Sequence, residues 1–355
     1  MNLTMYSLAR KFFFTLSGEM AHQLALESLD AAWRLRLTRL MAAPPIHAPV
    51  EAMGLTFPNA VGLAAGLDKN ADHLNSLGSL GFGFIEVGTV TPKPQPGNPK
   101  PRLFRIPEQE AIINRMGFNN KGMAHLIAQV KKRQYSGLIG INLGKNLTTP
   151  VEKAVDDYLL GLEAAFPHAD YITVNISSPN TPGLRSLQYG EALKQLLQPL
   201  KHRQQQLADE QQRHVPLLVK VAPDMNRDEL QSLADCLREV AVDGVIATNT
   251  TLDKSQVSEF KHGQEEGGLS GRPLTEKANQ MTAQLTEALE GSLPIIGVGG
   301  IFSAADASER IKAGATLVQL YTGFIYKGPQ LIHECAEAIA AIRPLAPKGN
   351  ESRGN

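Results

Sequence analysis

The feature that most restricts the fold of this chain is a regular alternation of short apolar segments with helix-like segments after residue 60. The apolar segments have the length and composition of buried parallel strands. They cover residues 61–64, 84–87, 138–141, 171–174, 217–219, 245–247, 294–298 and 317–320. The helix-like segments between and after them cover residues 70–80, 122–135, 151–165, 190–213, 228–240, 274–289, 303–313 and 329–342.

Eight strands that alternate with eight helices predict an α/β fold, a (β/α)8 TIM barrel. Such a barrel typically needs about 250 residues, and the alternating region offers roughly 280. A doubly wound open sheet is the alternative. Against it, no Gly-x-Gly-x-x-Gly motif follows the first strand. We therefore expect residues 43–345 to form one barrel domain.

The composition argues against several classes of function. Of the 355 residues, 43% are hydrophobic and 20% are charged, as in soluble globular proteins. Lysine plus arginine equals aspartate plus glutamate at 35 each, so the formal net charge of zero argues against a nucleic-acid partner. Cys236 and Cys335 are too few and too isolated for a disulfide framework, which favours a reducing compartment. The nine histidines are scattered without metal-ligand or triad spacing, so neither kind of site is predicted.

Residues 1–42 differ from the rest and predict an amphipathic helical hairpin. Its two apolar stripes are separated by a break at residues 17–19 and consist of Met5, Leu8, Phe12 and Leu16, then Leu26, Leu29, Trp33, Leu37 and Leu40. Five basic residues against three acidic ones give this segment a mild basic excess. Such a hairpin can lie in a membrane interface, although the pattern alone favours an ordinary helical pair docked on the main domain. Residues 43–49 are predicted to form a linker, and residues 346–355 are predicted to form a disordered tail.

Small or polar residues follow every predicted strand. A barrel places its active site at the carboxyl ends of its strands. The residues that follow the strands, called strand exits below, are therefore expected to meet around a polar ligand. They include Ala65, Gly66 and Lys69; Thr89; Asn142; Asn175, Ser178 and Asn180; Lys220; Thr248, Asn249 and Thr250; Gly299 and Gly300; Tyr321, Thr322 and Gly323. For the stretch 175–185 alone, a turn that satisfies its own polar groups is as good an explanation as ligand binding.

Two groups of exits are more specific. Residues 297–300 and 321–323 follow strands seven and eight, where barrels commonly bind phosphate through backbone N–H groups, and the loop 267–271 can add more. Lys220 lies inside an otherwise apolar strand, where an unpaired ammonium group is costly. It can snorkel to the rim, form a Schiff base, or stabilise negative charge on a cofactor, and the many asparagines favour the last. Lys69 is placed to bind a substrate carboxylate.

Several longer motifs resemble those of the dihydroorotate dehydrogenases across nearly the whole chain. They are residues 64–69 (AAGLDK), 114–120 (NRMGFNN), 175–185 (NISSPNTPGLR), 247–251 (ATNTT), 267–273 (GGLSGRP), 296–301 (IGVGGI) and 321–324 (YTGF). In that family the membrane-associated, quinone-reducing class 2 enzymes have a catalytic serine where the cytosolic enzymes have a cysteine. Ser178 occupies that position, and the N-terminal hairpin is similar to the extension of class 2.

The resemblance implies oxidation of dihydroorotate to orotate in pyrimidine biosynthesis, with FMN as cofactor and a membrane quinone as acceptor. Ser178 would take a proton from C5 of dihydroorotate while a hydride leaves C6 for the flavin, and a water chain is our hypothesis for its activation. The implied FMN-binding residues are Ala65, Gly66, Lys69, Thr89, Asn142, Asn175, Lys220, Thr248, Gly271, Gly300, Tyr321 and Thr322. The implied substrate-binding residues are Lys69, Asn114, Arg115, Met116, Gly117, Phe118, Asn175, Asn180, Asn249 and Thr250.

For the quinone, the resemblance implies an apolar tunnel in the hairpin with His22 and Arg105 as its polar ends. It also implies peripheral attachment to the cytoplasmic side of the cell membrane.

Two other functions stay open from the residues alone, namely a Schiff-base lyase that uses Lys220 and a non-catalytic membrane-docking scaffold. Within the oxidoreductase interpretation, fumarate or NAD is the alternative acceptor.

Overall fold

The structure is a computed structural model that describes residues 3–343. Its strands are β1 (Val50–Ala52), β2 (Leu55–Phe57), β3 (Val61–Leu63), β4 (Phe84–Val90), β5 (Leu103–Ile106), β6 (Ala111–Asn114), β7 (Leu138–Leu143), β8 (Tyr171–Asn175), β9 (Leu217–Val221), β10 (Gly244–Ala247), β11 (Gly268–Gly271), β12 (Ile295–Val298) and β13 (Leu317–Leu320). Its α-helices are α1 (Leu3–Thr15), α2 (Gly18–Arg34), α3 (Thr38–Met41), α4 (Leu74–Gly78), α5 (Met123–Lys131), α6 (Ala154–Ala165), α7 (Gly190–Gln211), α8 (Arg227–Val240), α9 (Thr275–Ala288), α10 (Ala304–Lys312), α11 (Thr322–Lys327) and α12 (Gln330–Ile342).

Eight parallel strands close into a barrel in the order β3-β4-β7-β8-β9-β10-β12-β13, and β13 pairs with β3 to complete the ring. The predicted (β/α)8 barrel is therefore confirmed, and the open-sheet alternative is wrong. Each predicted strand corresponds to one barrel strand, with ends that differ by up to three residues. Because helices cover the barrel from outside, the strands are buried on both faces, which explains their continuous apolar runs.

Two small sheets that the apolar pattern did not indicate accompany the barrel. β1 and β2 form an antiparallel hairpin just before the first barrel strand. β5, β6 and β11 form a three-stranded antiparallel sheet, although β11 lies more than 150 residues after β6 in the chain. The second sheet brings the end of β6 at Asn114 beside Gly268 of β11. It therefore joins two predicted motifs at the mouth of the barrel.

The N-terminal segment is helical, as predicted, and α1 and α2 are separated at the predicted break. The second helix does not continue through Leu40 as its apolar stripe suggested. It ends at Arg34, Arg36 takes a positive φ of 60°, and the chain restarts as the short helix α3. Among residues 3–343, no helix combines the length and the apolarity that crossing a bilayer requires.

Polar contacts fix the two N-terminal helices on the barrel domain. On α1, the Tyr6 hydroxyl donates to the backbone oxygen of Ile325 at 2.6 Å, and Arg10 donates to that of Tyr326 at 2.6 Å. On α2, Glu19 pairs with the buried Arg102 at 3.1 Å. Both helices therefore dock beside the mouth of the barrel, and a groove remains between α2 and the loop after β3.

Candidate active site

The polar strand exits meet in one cavity at the carboxyl end of the barrel, as predicted. The cavity has an empty volume of ≈ 1020 Å³ including its open mouth, which suits a cofactor together with a small substrate. Most predicted site residues line it, namely Ala65, Gly66, Lys69, Thr89, Asn114, Met116, Gly117, Phe118, Asn175, Ser178, Asn180, Lys220, Thr248, Asn249, Thr250, Gly271, Gly300, Tyr321 and Thr322.

Two of the predicted FMN- and substrate-binding residues do not line this cavity. Asn142 lies beneath its floor, fully buried, where its side-chain oxygen accepts hydrogen bonds from Thr89 at 2.6 Å and from Asn175 at 3.1 Å. Arg115 points away, because it pairs with Glu265 at 2.9 Å and its guanidinium group stacks 4.6 Å from the centre of the Phe104 ring. Asn142 therefore supports lining residues from below, and Arg115 holds the outer side of the three-stranded sheet.

The turn after β8 satisfies part of its polarity internally and presents the rest to the cavity. The Asn175 side-chain oxygen accepts from the Ser177 hydroxyl at 3.0 Å, so the self-bonded turn is present. The side-chain oxygen of Ser178 accepts the backbone N–H of Asn180 at 3.2 Å, and Ser178 is only 5% exposed. Asn180 in turn donates to the backbone oxygen of Asn114 at 3.1 Å, across the mouth. A turn that satisfies some of its own polar groups and a ligand-binding role for this stretch are therefore compatible.

Lys220 lies on β9 at the cavity floor. It is 5% exposed, so the snorkelling alternative is wrong. Burial lowers the pKa of its ammonium group, and the negative charge of Glu86 opposes that change. Among the described residues, no side-chain hydrogen bond acts on its ammonium group, and Glu86 acts only through its charge. A buried cation without such a bond at the floor of a polar cavity indicates a ligand with an electron-rich edge.

Lys69 lies on the wall of the cavity, on the loop after β3. Its ammonium group donates to the backbone oxygen of Gly66 at 2.8 Å. Burial and, to a smaller extent, the positive charge of Arg102 lower the pKa of Lys69 to about 8, although the negative charges of Glu19 and Asp68 partly oppose them. A cation that must be desolvated in the absence of ligand is suited to bind a carboxylate.

The predicted phosphate end is built from backbone groups. Gly299, Gly300 and Gly323 line the cavity beside Thr322, whose hydroxyl donates to Ser270 at 2.9 Å. Behind them, the fully buried Arg310 of α10 donates to the backbone oxygen of Gly299 at 2.8 Å. Because the two ends of a peptide unit point in opposite directions, this bond turns the N–H of Gly300 away from Arg310.

The predicted polar ends of the quinone tunnel, His22 and Arg105, make different contacts beside the N-terminal helices. His22 lies in the groove between α2 and the barrel, which Lys69 and Tyr321 also line. Burial, together with the positive charge of Lys69, lowers the pKa of His22 to about 3, so this imidazole is neutral. Arg105 instead donates to the backbone oxygens of Phe13 and Leu16, where α1 ends.

Several residues of the cavity were not predicted from the sequence. Most of them are apolar or lie within the quoted motifs without having been singled out, namely Ser270, Leu274, Val298, Ile301 and Leu320. Gln319 was detectable, because it is a polar residue inside the apolar strand β13. The same argument that selected Lys220 also applies to it and to Glu86 of β4, and both are fully buried.

Comparison with known proteins gives consistent matches. The model of the dihydroorotate dehydrogenase family matches residues 47–342. A curated relative from Cellvibrio japonicus, described as dihydroorotate dehydrogenase (quinone), is 59% identical over 95% of this chain and 98% of its own length. A relative of the same description from Azotobacter vinelandii is 57% identical over 97% and 99%.

Solved structures agree with the sequence matches. The crystal structure of the Eimeria tenella enzyme of this family in complex with ferulenol superposes with a TM-score of 0.82 at 35% identity, over 90% of each chain. The ligand-free form from the same organism gives a TM-score of 0.82 at 36% identity, over 90% of this chain and 93% of that one.

Proposed function

We infer that the chain, which belongs to the dihydroorotate dehydrogenase family, oxidises dihydroorotate to orotate for pyrimidine biosynthesis and transfers the electrons to a quinone. The single observation that carries this proposal is the convergence of the family's motifs on one cavity, with Ser178 and Lys220 on its wall and floor. The description of both curated relatives as quinone enzymes supports quinone, rather than fumarate or NAD, as the acceptor.

The family is flavin-dependent, and the cavity fits FMN. At its floor, the buried side-chain oxygen of Gln319 has no hydrogen-bond partner among residues 3–343, and the buried Lys220 ammonium group is balanced only by the charge of Glu86. A flavin ring supplies acceptors and a donor to such groups. At the other end, Gly300 and Thr322 line the site with backbone amides, which suit a phosphate. Gly300, Thr322 and Lys220 would hold FMN, which when bound would supply the hydride acceptor and the redox link to the quinone.

The substrate lies on the opposite wall in this proposal. Asn114, Asn180 and Asn249 offer amide donors and acceptors that suit the ring of dihydroorotate, and Lys69 binds its carboxylate. Ser178 is the base that takes the proton from C5. Its oxygen already accepts one backbone N–H, and this bond also stabilises negative charge that develops when the hydroxyl loses its own proton.

The proposed quinone site is the groove beside α2. It shares Lys69, Met116 and Tyr321 with the main cavity, so a quinone there would reach the edge of the flavin site. The neutral His22 is available on this path. Arg105 fixes the end of α1 in the structure, and its quinone role is retained only as the implication of the family resemblance.

We further propose that residues 1–42 attach the protein to the cytoplasmic face of the cell membrane and that residues 43–345 form the catalytic domain. Support comes from the large apolar side chains that the N-terminal helices expose, including Leu8, Phe12, Leu35 and Leu40 at 61–73% exposure. The tail predicted at residues 346–355 lies outside the described residues.

The experiment that tests the function is anaerobic. The purified protein is expected to be yellow, to be bleached by dihydroorotate, and to recover its colour rapidly with a short-chain quinone but not with fumarate or NAD. Recovery with fumarate would contradict the acceptor, and a lack of bleaching would contradict the substrate. Inactivation by borohydride in the presence of a carbonyl substrate would instead support the Schiff-base alternative at Lys220.

Lys69 predicts a pH dependence of orotate binding. Only the protonated ammonium group binds the carboxylate, so affinity is complete below the pKa of about 8 and falls as the pH rises above it. We expect the Kd of orotate to increase by roughly tenfold per pH unit in that range. The measurement is the spectral change of the bound flavin from pH 6.5 to 9.5. Lys69→Met is the control and should bind weakly without this pH dependence; the same dependence in that variant would refute the assignment.

The exposed N-terminal side chains predict binding to lipid. Replacing Leu8, Phe12, Leu35 and Leu40 with serine is expected to abolish co-sedimentation with vesicles that contain anionic lipid, while dihydroorotate still bleaches the flavin. The matched control replaces three comparably exposed leucines of the barrel domain, Leu147, Leu160 and Leu252, with serine. Equal loss of vesicle binding in both variants would contradict the N-terminal attachment.

A further inference from the structure

Glu86 of β4 is a carboxylate buried inside the barrel below the cavity floor. It is fully buried and is not among the lining residues. Three side chains donate hydrogen bonds to it. Asn142 donates to Oε1 at 2.7 Å, whereas Gln319 and Tyr171 both donate to Oε2, at 2.7 Å and 2.9 Å. Burying a carboxylate costs free energy that an apolar side chain would avoid. Its presence therefore needs a reason other than the stability of the barrel.

The carboxylate determines which way the amide of Asn142 faces. An ionised carboxylate only accepts hydrogen bonds, whereas an amide has one donating end and one accepting end. Since the Asn142 nitrogen faces Glu86, the Asn142 oxygen must face the opposite way. There it accepts from the Thr89 hydroxyl at 2.6 Å and from the Asn175 side-chain nitrogen at 3.1 Å.

The orientation of the Asn142 amide in turn fixes the orientation of the Asn175 amide on the cavity wall. Because the Asn175 nitrogen is occupied by Thr89 and Asn142, the Asn175 oxygen faces the substrate end. It accepts there from Ser177 at 3.0 Å and from the side-chain nitrogen of Asn249 at 3.4 Å. The Asn249 oxygen then accepts the backbone N–H of Thr250 at 2.8 Å. Each of the amides of Asn142, Asn175 and Asn249 therefore points its nitrogen towards Glu86 and its oxygen away from it.

We propose that Glu86 is a positioning residue, which fixes the orientation of the Asn142, Asn175 and Asn249 amides and thereby the donors and acceptors presented to the substrate. The inference rests on the proposed function for the identity of the ligand. Glu86 touches neither cofactor nor substrate in this scheme, because Asn142 lies between it and the cavity wall.

Glu86→Gln tests the proposal with an almost unchanged shape. Tyr171 and Gln319 both donate at the Oε2 position, so they hold the amide oxygen of the new glutamine there. Its amide nitrogen then faces the Asn142 nitrogen, and two donors oppose each other. The side-chain amide of Asn142 is therefore expected to rotate by about 180°, so that its nitrogen instead of its oxygen faces Asn175. We expect a loss of orotate affinity and of kcat of about tenfold to a hundredfold with FMN retained.

The decisive variant is the double exchange E86Q/N142D. The amide nitrogen of the glutamine then donates to one oxygen of the aspartate, and the other oxygen accepts from Thr89 and Asn175 as Asn142 does in the wild type. The number of charges and the side-chain shapes are nearly conserved. We expect the double variant to regain at least about tenfold of the lost orotate affinity. A purely structural role for Glu86 gives no such rescue, because a second substitution in the core would then add to the damage.

Asp243→Asn is the matched control. Asp243 is a mostly buried carboxylate that precedes β10 at the opposite end of the barrel, where it pairs with Lys201 at 2.8 Å. Its loss should lower thermal stability and leave orotate affinity within about twofold. Wild-type orotate binding in E86Q, or a folded double variant without rescue, would overturn the inference.

If E86Q does not fold, the double variant decides alone, since it is expected to bind orotate nearly as the wild type does. A wild type that dihydroorotate does not bleach would overturn the proposed function and the inference with it. A bleached wild type with an unaffected E86Q would overturn the inference alone.

Discussion

Replacing Ser178 with alanine is expected to reduce kcat by about 10²- to 10⁴-fold, the usual contribution of a positioned general base, while the protein keeps its FMN. The side chain lies on the cavity wall at 5% exposure, and its oxygen accepts the Asn180 N–H. Alanine removes the proton acceptor but leaves the turn after β8 with its other hydrogen bonds. The measurement is the rate of flavin bleaching by dihydroorotate after anaerobic mixing.

Ser186→Ala is the matched control, because Ser186 lies in the same segment outside the cavity and donates only to the backbone oxygen of Gly183. Its bleaching rate should equal that of the wild type. No histidine is among the residues that line the cavity in the described part of the chain. Since the serine hydroxyl must therefore lose its proton without a strong base, the rate is expected to rise towards alkaline pH. Ser178→Cys should shift this rise to lower pH, because a thiol is more acidic. A near wild-type rate in Ser178→Ala would eliminate the role.

Lys220→Met is expected to have the second largest effect, a loss of about 10²- to 10³-fold in the bleaching rate, as for other groups that stabilise developing charge in a buried site. The substitution removes the cation at the cavity floor and leaves the negative Glu86 uncompensated below it. Both changes disfavour added negative charge above the floor. The midpoint potential of the bound flavin should therefore become more negative, a readout that is independent of turnover.

The pH profile provides a second check on Lys220. Burial lowers its pKa, so its positive charge is lost at a lower pH than for an ordinary lysine. The wild-type bleaching rate should accordingly rise with pH as Ser178 loses its proton and then fall once Lys220 loses its own, whereas Lys220→Met should keep the rise and lack the fall. Lys201→Met, which breaks an ion pair with Asp243 at the opposite end of the barrel, is the matched control and should leave the potential unchanged. An unchanged potential in Lys220→Met would contradict the assignment.

The barrel and the set of residues at its mouth follow from the sequence pattern alone. Parallel strands covered by helices must be apolar on both faces, so the strands are visible as short runs, and the break at residues 17–19 separates two helices. Because a βα barrel places the carboxyl ends of all its strands on one face, polar residues such as Asn175 and Thr248 could be assigned to a common cavity without any tertiary information.

The hydrogen bonds between these side chains, in contrast, depend on how the strands pair in three dimensions. Glu86 accepts from Gln319, which lies 233 positions further along the chain, and this pairing exists because β13 closes the ring beside β3. Asn142 lies below the floor because β7 pairs between β4 and β8, which places its side chain against Thr89 and Asn175. The antiparallel sheet that joins β6 and β11 turned Arg115 outwards, and the docking of α1 engaged Arg105. Periodicity reports whether a residue is buried, because burial repeats with the local geometry. It does not report which distant residue a buried polar group meets, because that depends on how the barrel closes.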